Sequence, residues 1–401
     1  MIKNKKILFI YDYLYTGGIE TLILRMANWL VDEGYELSIV LRKKGEIAEH
    51  FDSKVNVIEL GKIYRLLYLP LFSEKVLKKY NLQEFNYIMS FHPRSNWIAA
   101  NLIDNLKLKA KYITGVYHPR AYFNNDLHLS EKICYKYLFS HQNSNAILFM
   151  NDETKLHHQI NLNSKFIDST IWPLPVEGKI IKQRKVIKYK FVSIGRFAKF
   201  KTYNIYMMNI IRKLLNEGFD IVYEIYGTGE LEKYMKEEIT KLSLEKNVFL
   251  KGNLNYSYFS KILEDVYLFI GMGTSVIEAS FCKVPSLVAI ENSKEDISYG
   301  FLHQLPYYNV GERNNNLKEK KVYNLIKDLL LLDDKAYEQT SEKAYDYVKA
   351  YSMENLMPKW LEQMDKLPLI NTNIPQFYKY LYLVLEVINP ILKVFKKKSV
   401  K

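Results

Sequence analysis

Cysteine is nearly absent from this chain of 401 residues: Cys134 and Cys282 are the only two. Two residues build no disulfide framework, and no C-x-x-C spacing offers a zinc site, so a reducing setting is expected. Long apolar runs are missing as well. No stretch reaches the ~18 uninterrupted apolar residues that cross a bilayer. The opening MIKNKKILFIYDYLY imitates a secretory leader, but Asp12 breaks its apolar run and no small-residue cleavage site follows. A buried first strand is expected instead. Acidic residues are in deficit, with 44 Asp and Glu against 57 Lys and Arg and a formal charge of +13. That excess points to nucleic acid, an anionic membrane surface or phosphorylated ligands. The chain lacks an aromatic RNA-binding motif and a basic helix with base-reading spacing, so no nucleic-acid partner is expected.

What is present is an alternation. Hydrophobic residues make up 48% and charged residues 25%, a globular composition long enough for two domains. Apolar runs at 6–11, 37–41, 87–90, 112–116 and 146–150 read as strands, and the segments between them, such as 19–33, have helical periodicity. The rhythm stops at IWPLPVEGKIIKQRKVIKYK (171–190), where two prolines and a basic run suggest an interdomain linker. It resumes with strands at 191–194, 221–226, 248–250 and 266–270 and helices at 203–217, 230–242 and 256–264. Two doubly wound parallel sheets are the reading. The boundaries expected are 1–172 for an N-terminal Rossmann-like domain, 173–190 for the linker and 191–350 for a C-terminal Rossmann-like domain. A helix at 351–374 would return toward the first domain, and 375–401 would be an amphipathic basic tail.

Ligands of such sheets bind beyond the carboxyl ends of the strands. The loops found there are TGGIE, FHPR, YHPR, GRFAKFK, YGTGE and GMGTSVIE. In GRFAKFK, Gly195 permits a tight turn and Arg196 and Lys201 follow within one loop. An arginine fork and a lysine point charge suit a diphosphate. Gly227, Gly229 and the turn Gly273-Thr274-Ser275 add two loops compatible with phosphate, since small residues between a strand and a helix leave backbone N–H groups pointing outward. Both halves contribute loops, so a ligand is expected in a cleft between them. His157 and His158 lack ligand-spaced partners, and no metal site is expected.

The order GGIETLILRMANWL, GRFAKFK, EIYGTGELEKYMKEEITKLSLEKNVFLKGN, VIEASFCKVPSLVA resembles the family-4 retaining glycosyltransferases (glycosyl transferases group 1) with the GT-B fold. The resemblance runs from about residue 5 to 365 and is densest over 191–290. It implies two Rossmann-like domains with parallel sheets facing across a cleft, the first holding the acceptor and the second a nucleotide-sugar. It further implies that Arg196 and Lys201 hold the donor diphosphate and that Glu278 accepts hydrogen bonds from the donor ribose in the first turn of its helix. Gly17 and Gly18 would approach the donor phosphates, and His118 would sit by the reacting sugar carbon. Gly227, Gly229, Gly273, Thr274 and Ser275 complete the donor set, with Glu20, His92, Arg94 and Arg120 as acceptor-side candidates. The nucleotide-sugar is then a substrate, and no cofactor or metal is implied.

The sequence departs from the family pattern at three places. Position 270 is isoleucine where the family places a glutamate that contacts the transferred sugar, and the loop around it is short. Thr202 stands where glycine commonly follows the lysine, and Pro119 follows His118 in place of an acidic residue. A divergent sugar specificity is the reading, with a catalytically dead binding module as the contrary one. The same residues also leave room for a nucleotide-sugar epimerase on this fold, or for a non-enzymatic protein that binds nucleotides or nucleic acid.

In the tail, Phe377, Leu381, Val384, Ile388, Leu392 and Phe395 recur at helical spacing and Lys396–Lys398 close the segment. An amphipathic helix with a polybasic end suits an anionic membrane interface. The competing expectation is a helix docked on the N-terminal domain. Together these features suggest a cytoplasmic enzyme, peripheral on the inner face of the cell membrane, that extends a lipid-linked glycan in surface polysaccharide or glycolipid synthesis.

Overall fold

The computed structural model describes residues 5–15, 17–82, 84–123, 127–181, 184–369 and 373–385. It divides into two compact units, Met1–Pro173 with Met357–Lys401, and Leu174–Leu356.

The first unit is built on β1 (Lys6–Tyr13), β2 (Glu36–Lys43), β3 (Asn56–Glu59), β4 (Tyr87–Ser90), β5 (Lys111–Val116), β6 (Ile147–Phe149) and β7 (Thr170–Ile171). They form one sheet in the order β3-β2-β1-β4-β5-β6-β7, and every pairing is parallel. In β1, six successive residues from Ile7 to Asp12 are buried. Unbroken burial is what a central parallel strand covered on both faces requires. The helices α1 (Gly18–Asp32), α2 (Pro70–Tyr80), α3 (Pro93–Leu106), α4 (Leu129–His141) and α5 (Asp152–Leu162) fill the crossovers.

The second unit repeats the plan with β8 (Lys190–Ile194), β9 (Val222–Tyr226), β10 (Val248–Gly252), β11 (Leu268–Gly271), β12 (Ser286–Ala289), β13 (Ile297–Phe301) and β14 (Lys320–Lys321). Their order is β10-β9-β8-β11-β12-β13-β14. The strands from β10 to β12 pair in parallel, but β13 and β14 pair antiparallel, so this sheet is mixed at one edge rather than wholly parallel. The helices are α6 (Tyr203–Asn216), α7 (Glu232–Lys241), α8 (Phe259–Ile262), α9 (Thr274–Phe281), α10 (Val322–Leu330) and α11 (Asp334–Val348). The helix expected at 256–264 is broken: α8 has four residues and lies between two single 3-10 turns.

Residues 174–181 and 184–190 lie along the second unit. Val176 N–H donates to Tyr351 O, and Lys185 and Ile187 donate to Glu264 O and Asp265 O. Beyond them α12 (Met353–Lys366) carries the chain into the first unit. There Trp360 is fully buried, edge-on to Phe9 at 6.4 Å. Lys5 Nζ closes this contact with a 2.6 Å bond to Asp365.

The tail does not stand free of the first unit. Residues 376–385 are helical, and Tyr382 stacks on Trp97 at 5.3 Å and shares a 3.1 Å hydrogen bond with the Tyr135 hydroxyl. Lys379 is buried, with its ammonium 2.7 Å from both Asp104 Oδ2 and Asn105 Oδ1. This part of the tail is docked on the first unit, which is the competing expectation for it. The physical reason is Lys379: a buried ammonium needs a buried counter-charge, and Asp104 supplies it. The lysines 396–398 lie outside the described residues. Among the described residues no helix is long and apolar enough to cross a membrane.

Candidate active site

In each sheet the strand order reverses beside the unit's first strand, between β1 and β4 in one and between β8 and β11 in the other. Crevices at such reversals, beyond the carboxyl ends of the strands, are where doubly wound sheets take ligands. The second unit places the loop after β8 and the turn after β11 there.

The loop after β8 is fastened to the loop after β9. Gly195 N–H donates to Tyr226 O and Phe197 N–H to Thr228 O, both at 2.9 Å, and Leu231 N–H donates back to Phe197 O. A side chain could not fit between these loops. A Cβ on Gly227 would lie 2.0 Å from Gly195 O, and Gly227 has φ +144°. Gly227 and Gly229 therefore have a full account in loop packing. The loop they support carries Arg196, which is exposed, and Lys201, which is half-buried. Among the described residues no carboxylate pairs with either cation. Burial first, and then the neighbouring Arg196, bring the Lys201 pKa down to about 8. Two adjacent cations without a counter-ion repel each other and favour an anion between them.

The turn after β11 starts α9. Gly273 is its N-cap with φ +75°, a left-handed conformation that favours glycine. Its own N–H donates to Val310 O at 2.7 Å, so this amide is not available to a phosphate as expected. The first-turn N–H groups of Thr274 and Ser275 have no partner within the helix and face outward at its positive end. Ser275 Oγ donates to Met272 O at 3.2 Å. Because Gly273 cannot be helical, α9 begins at Thr274 and Glu278 falls in its second turn, not its first. Glu278 is buried and lines a small cavity with Glu177, Lys179, Tyr256, Phe259, Ser260 and Cys282. Neither Arg196 nor Lys201 lines that cavity. The cationic loop at the strand reversal and the small acid-bearing cavity along α9 thus have separate linings. A larger cavity of about 540 Å³ lies apart, beside α6 and β14, where Lys321 is already paired with Asp296 at 2.9 Å.

In the first unit Gly17 is the N-cap of α1, and open space adjoins Gly18. Glu20 accepts a 3.0 Å hydrogen bond from the Tyr11 hydroxyl. His92 caps α3, its Nδ1 accepting from Ser95 N–H at 2.9 Å, and its Nε2 lies 3.7 Å from Asp12 Oδ1. Arg94 is clamped between two buried carboxylates, Asp12 at 2.7 Å and Glu131 at 2.5 Å. Its charge is neutralised within the unit, which removes it as a cation for an acceptor phosphate. Burial alone would raise the Asp12 pKa, but His92 and Arg94 together hold it far below the ordinary carboxylate range. After β5, His118 Nδ1 accepts from Arg120 N–H at 3.1 Å, and both side chains are exposed. Desolvation first and Arg120 second keep the His118 pKa below the usual value. His92 and His118 therefore stand at the ends of adjacent strands in different employment, one as a helix cap and one open to solvent. Among the described residues no three His, Cys, Asp or Glu side chains are grouped to hold a metal ion. His158 is a core residue, bonded to Thr154 O at 2.8 Å.

Sequence reasoning missed Asp12 and Glu131 as partners of Arg94, and the residues around Glu278. Asp12 had left a signal, as a lone charge inside an apolar strand. Tyr256 and Phe259 left none, because they lie in the broken helical stretch at 256–265.

Residues 179–294 match the family model described as glycosyl transferases group 1, and this span holds Arg196, Lys201 and Glu278. The chain is 26% identical over 270 residues to a poly(ribitol-phosphate) alpha-N-acetylglucosaminyltransferase of Staphylococcus aureus (strain COL), covering 64% of this chain and 51% of that protein. It is 24% identical over 287 residues to a poly(glycerol-phosphate) alpha-glucosyltransferase of Bacillus subtilis (strain 168), covering 68% and 40%. The chain thus spans about half or less of the length of these curated relatives. Its fold is similar to the crystal structure of Anabaena Alr3699/HepE in complex with UDP and glucose, with a TM-score of 0.67 at 12% identity over 90% of this chain and 100% of that one. TarM gives a TM-score of 0.65 at 14% identity over 90% and 99%. On a GT-B fold of two Rossmann-like units, residues 179–294 of the chain are thus similar to the glycosyl transferases group 1.

Proposed function

We propose that the chain is a retaining glycosyltransferase that moves a sugar from a nucleotide-sugar to a hydroxyl of a lipid-linked, cell-surface glycan, working at the inner face of the membrane. The observation that carries this reading is the pair Arg196 and Lys201, two cations with no carboxylate partner among the described residues, placed at the strand reversal beside the N-terminus of α9. That arrangement suits a nucleoside diphosphate as leaving group. Glu278, one helical turn along α9 from its first N–H groups, would accept from ribose hydroxyls at the nucleoside end. The names of the two curated relatives point to an acceptor class, a polymer of ribitol phosphate or glycerol phosphate.

In this reading the acceptor oxygen forms a bond to the anomeric carbon as the bond from that carbon to the phosphate oxygen breaks. The acceptor proton passes to a phosphate oxygen of the departing nucleoside diphosphate. Arg196, Lys201 and the N–H groups of Thr274 and Ser275 take up the charge that develops there, a preorganised electrostatic effect that often dominates catalysis. His118, neutral and accessible beside Arg120, would orient the sugar, and Arg120 would meet the acceptor.

The test is a panel of UDP-, GDP- and ADP-sugars offered with poly(ribitol phosphate), poly(glycerol phosphate) or a lipid-linked glycan. Release of nucleoside diphosphate only when an acceptor is present supports transfer, and the anomeric configuration of the product tests retention. Interconversion of the sugar nucleotides without acceptor would mean an epimerase. A chain whose melting temperature responds to none of these nucleotides is not a transferase of this kind.

A further inference from the structure

The docked helical residues 376–385 have a second face. Tyr378, Lys379 and Tyr382 turn toward the first unit, where Tyr378 stacks on Tyr137 at 3.7 Å and Lys379 meets Asp104. Phe377, Tyr380 and Val384 are 66%, 63% and 50% exposed. Their spacing of three and then four residues places them in one stripe on a helix. A stripe of two aromatic residues and a valine in water is unusual unless something covers it.

The sequence that follows says what fits. Residues 386–401 read EVINPILKVFKKKSVK, with five lysines and one acidic residue interspersed with Ile388, Ile391, Leu392 and Phe395. Apolar and aromatic residues leading into a lysine cluster complement a surface that is apolar beneath and anionic at its headgroups. A second copy of the chain fits poorly, because each carries a formal charge of +13.

We infer that the helix at 376–385 is a fixed plate for an anionic bilayer: Phe377, Tyr380 and Val384 enter the headgroup layer while Lys379 and Tyr382 fasten the plate to the first unit. Docking and membrane contact are then compatible, since they use opposite sides of one helix. The inference rests on the proposed membrane-side location for its purpose, and its evidence is independent of the transfer reaction.

The test is sedimentation of the full chain with vesicles of phosphatidylcholine alone and of phosphatidylcholine with phosphatidylglycerol. The intact protein should sediment with the anionic vesicles. The triple variant F377S/Y380S/V384S, which leaves every docking residue in place, should bind at least about tenfold more weakly. Its melting temperature should be that of the unaltered chain. The variant K396Q/K397Q/K398Q should lose the preference for phosphatidylglycerol. An intact chain that ignores anionic vesicles, or a serine variant that sediments with them as well as the unaltered chain, overturns the inference. So does a serine variant that changes the oligomeric state in velocity sedimentation, which would make the stripe a contact between copies. Vesicle binding without any sugar transfer would instead sink the transferase reading and leave this one standing.

Discussion

Arg196 repels Lys201 from within the same loop, and no carboxylate among the described residues relieves either of them. With its pKa lowered to about 8, Lys201 is held in the charged form at a cost to the empty protein. The unfolded chain keeps this lysine protonated up to its ordinary pKa, so between pH 8 and 10.5 the unfolded state binds more protons. Stability of the unliganded protein should therefore rise across that window, and the contribution is flat below it. Lys201→Met should raise the melting temperature at pH 7, by roughly 1–3 kcal/mol in stability at one pKa unit per ~1.4 kcal/mol. The same change should remove the stabilisation by nucleoside diphosphate and cut turnover by about 100-fold or more. In the unaltered protein, diphosphate affinity should fall above pH 8. A Lys201→Met protein that is less stable and still responds to nucleotide would make the residue structural.

Glu278 lies a full turn into α9 and lines a cavity that the two cations do not reach. Its proposed partner is therefore the nucleoside rather than the phosphates. Glu278→Gln should weaken binding of a nucleoside monophosphate by about 1–3 kcal/mol, the range for a lost hydrogen bond to a charged group. Binding of inorganic pyrophosphate should be untouched. Calorimetry with both ligands decides the matter, and a variant that loses pyrophosphate as readily as nucleotide would place Glu278 with the phosphates.

The two HPR segments separate sharply. Arg94 joins two buried carboxylates, so Arg94→Ala leaves Asp12 and Glu131 uncompensated and should cost about 3–5 kcal/mol of stability. Arg120 is exposed, and Arg120→Ala should change stability by no more than about 0.5 kcal/mol while raising the KM for acceptor. Acid gives a second check. Asp12 has a lowered pKa in the folded protein, so its contribution is complete above the unfolded carboxylate value near ~4 and fades as pH falls toward the folded one. Urea midpoints between pH 5 and pH 2.5 should fall for the unaltered protein and less steeply for Arg94→Ala. Equal slopes would separate Asp12 from Arg94.

Alternation of apolar runs and helical periodicity made the two sheets legible, because buried parallel strands such as β1 carry a near-continuous apolar run. The loops that matter were legible for the same reason: they are whatever follows those strands. The antiparallel edge was not, since β14 has two residues and β13 includes a glycine and a serine. The partners of charged residues were also hidden. Nothing in HPR tells Arg94 from Arg120, because Asp12 and Glu131 are 82 and 37 residues from Arg94 in sequence. Helical spacing in the tail revealed an amphipathic segment but not which side meets protein. That choice is made by Asp104, 275 residues away from Lys379.

The bond between Lys379 and Asp104 yields the last prediction. The two side chains are 2% and 7% exposed and their charged atoms are 2.7 Å apart, with Asn105 completing the ammonium's coordination. Removing one member of a buried pair leaves the other charge in a poor solvent, at a cost of about 3–5 kcal/mol. Lys379→Met should therefore lower the denaturation midpoint strongly although the residue lies near the end of the chain. Replacing both charges by neutral groups of similar size removes the stranded charge, so the double variant Asp104→Asn with Lys379→Met should recover most of the loss. The exposed Lys107 lies 3.4 Å from Asp104 and offsets part of the penalty in the single variant, which puts the expected loss at the lower end of that range. Urea unfolding of the two single variants and the double variant closes the cycle. A Lys379→Met protein as stable as its parent would show that the helix is not fastened there, and the fixed orientation of Phe377, Tyr380 and Val384 would fall with it.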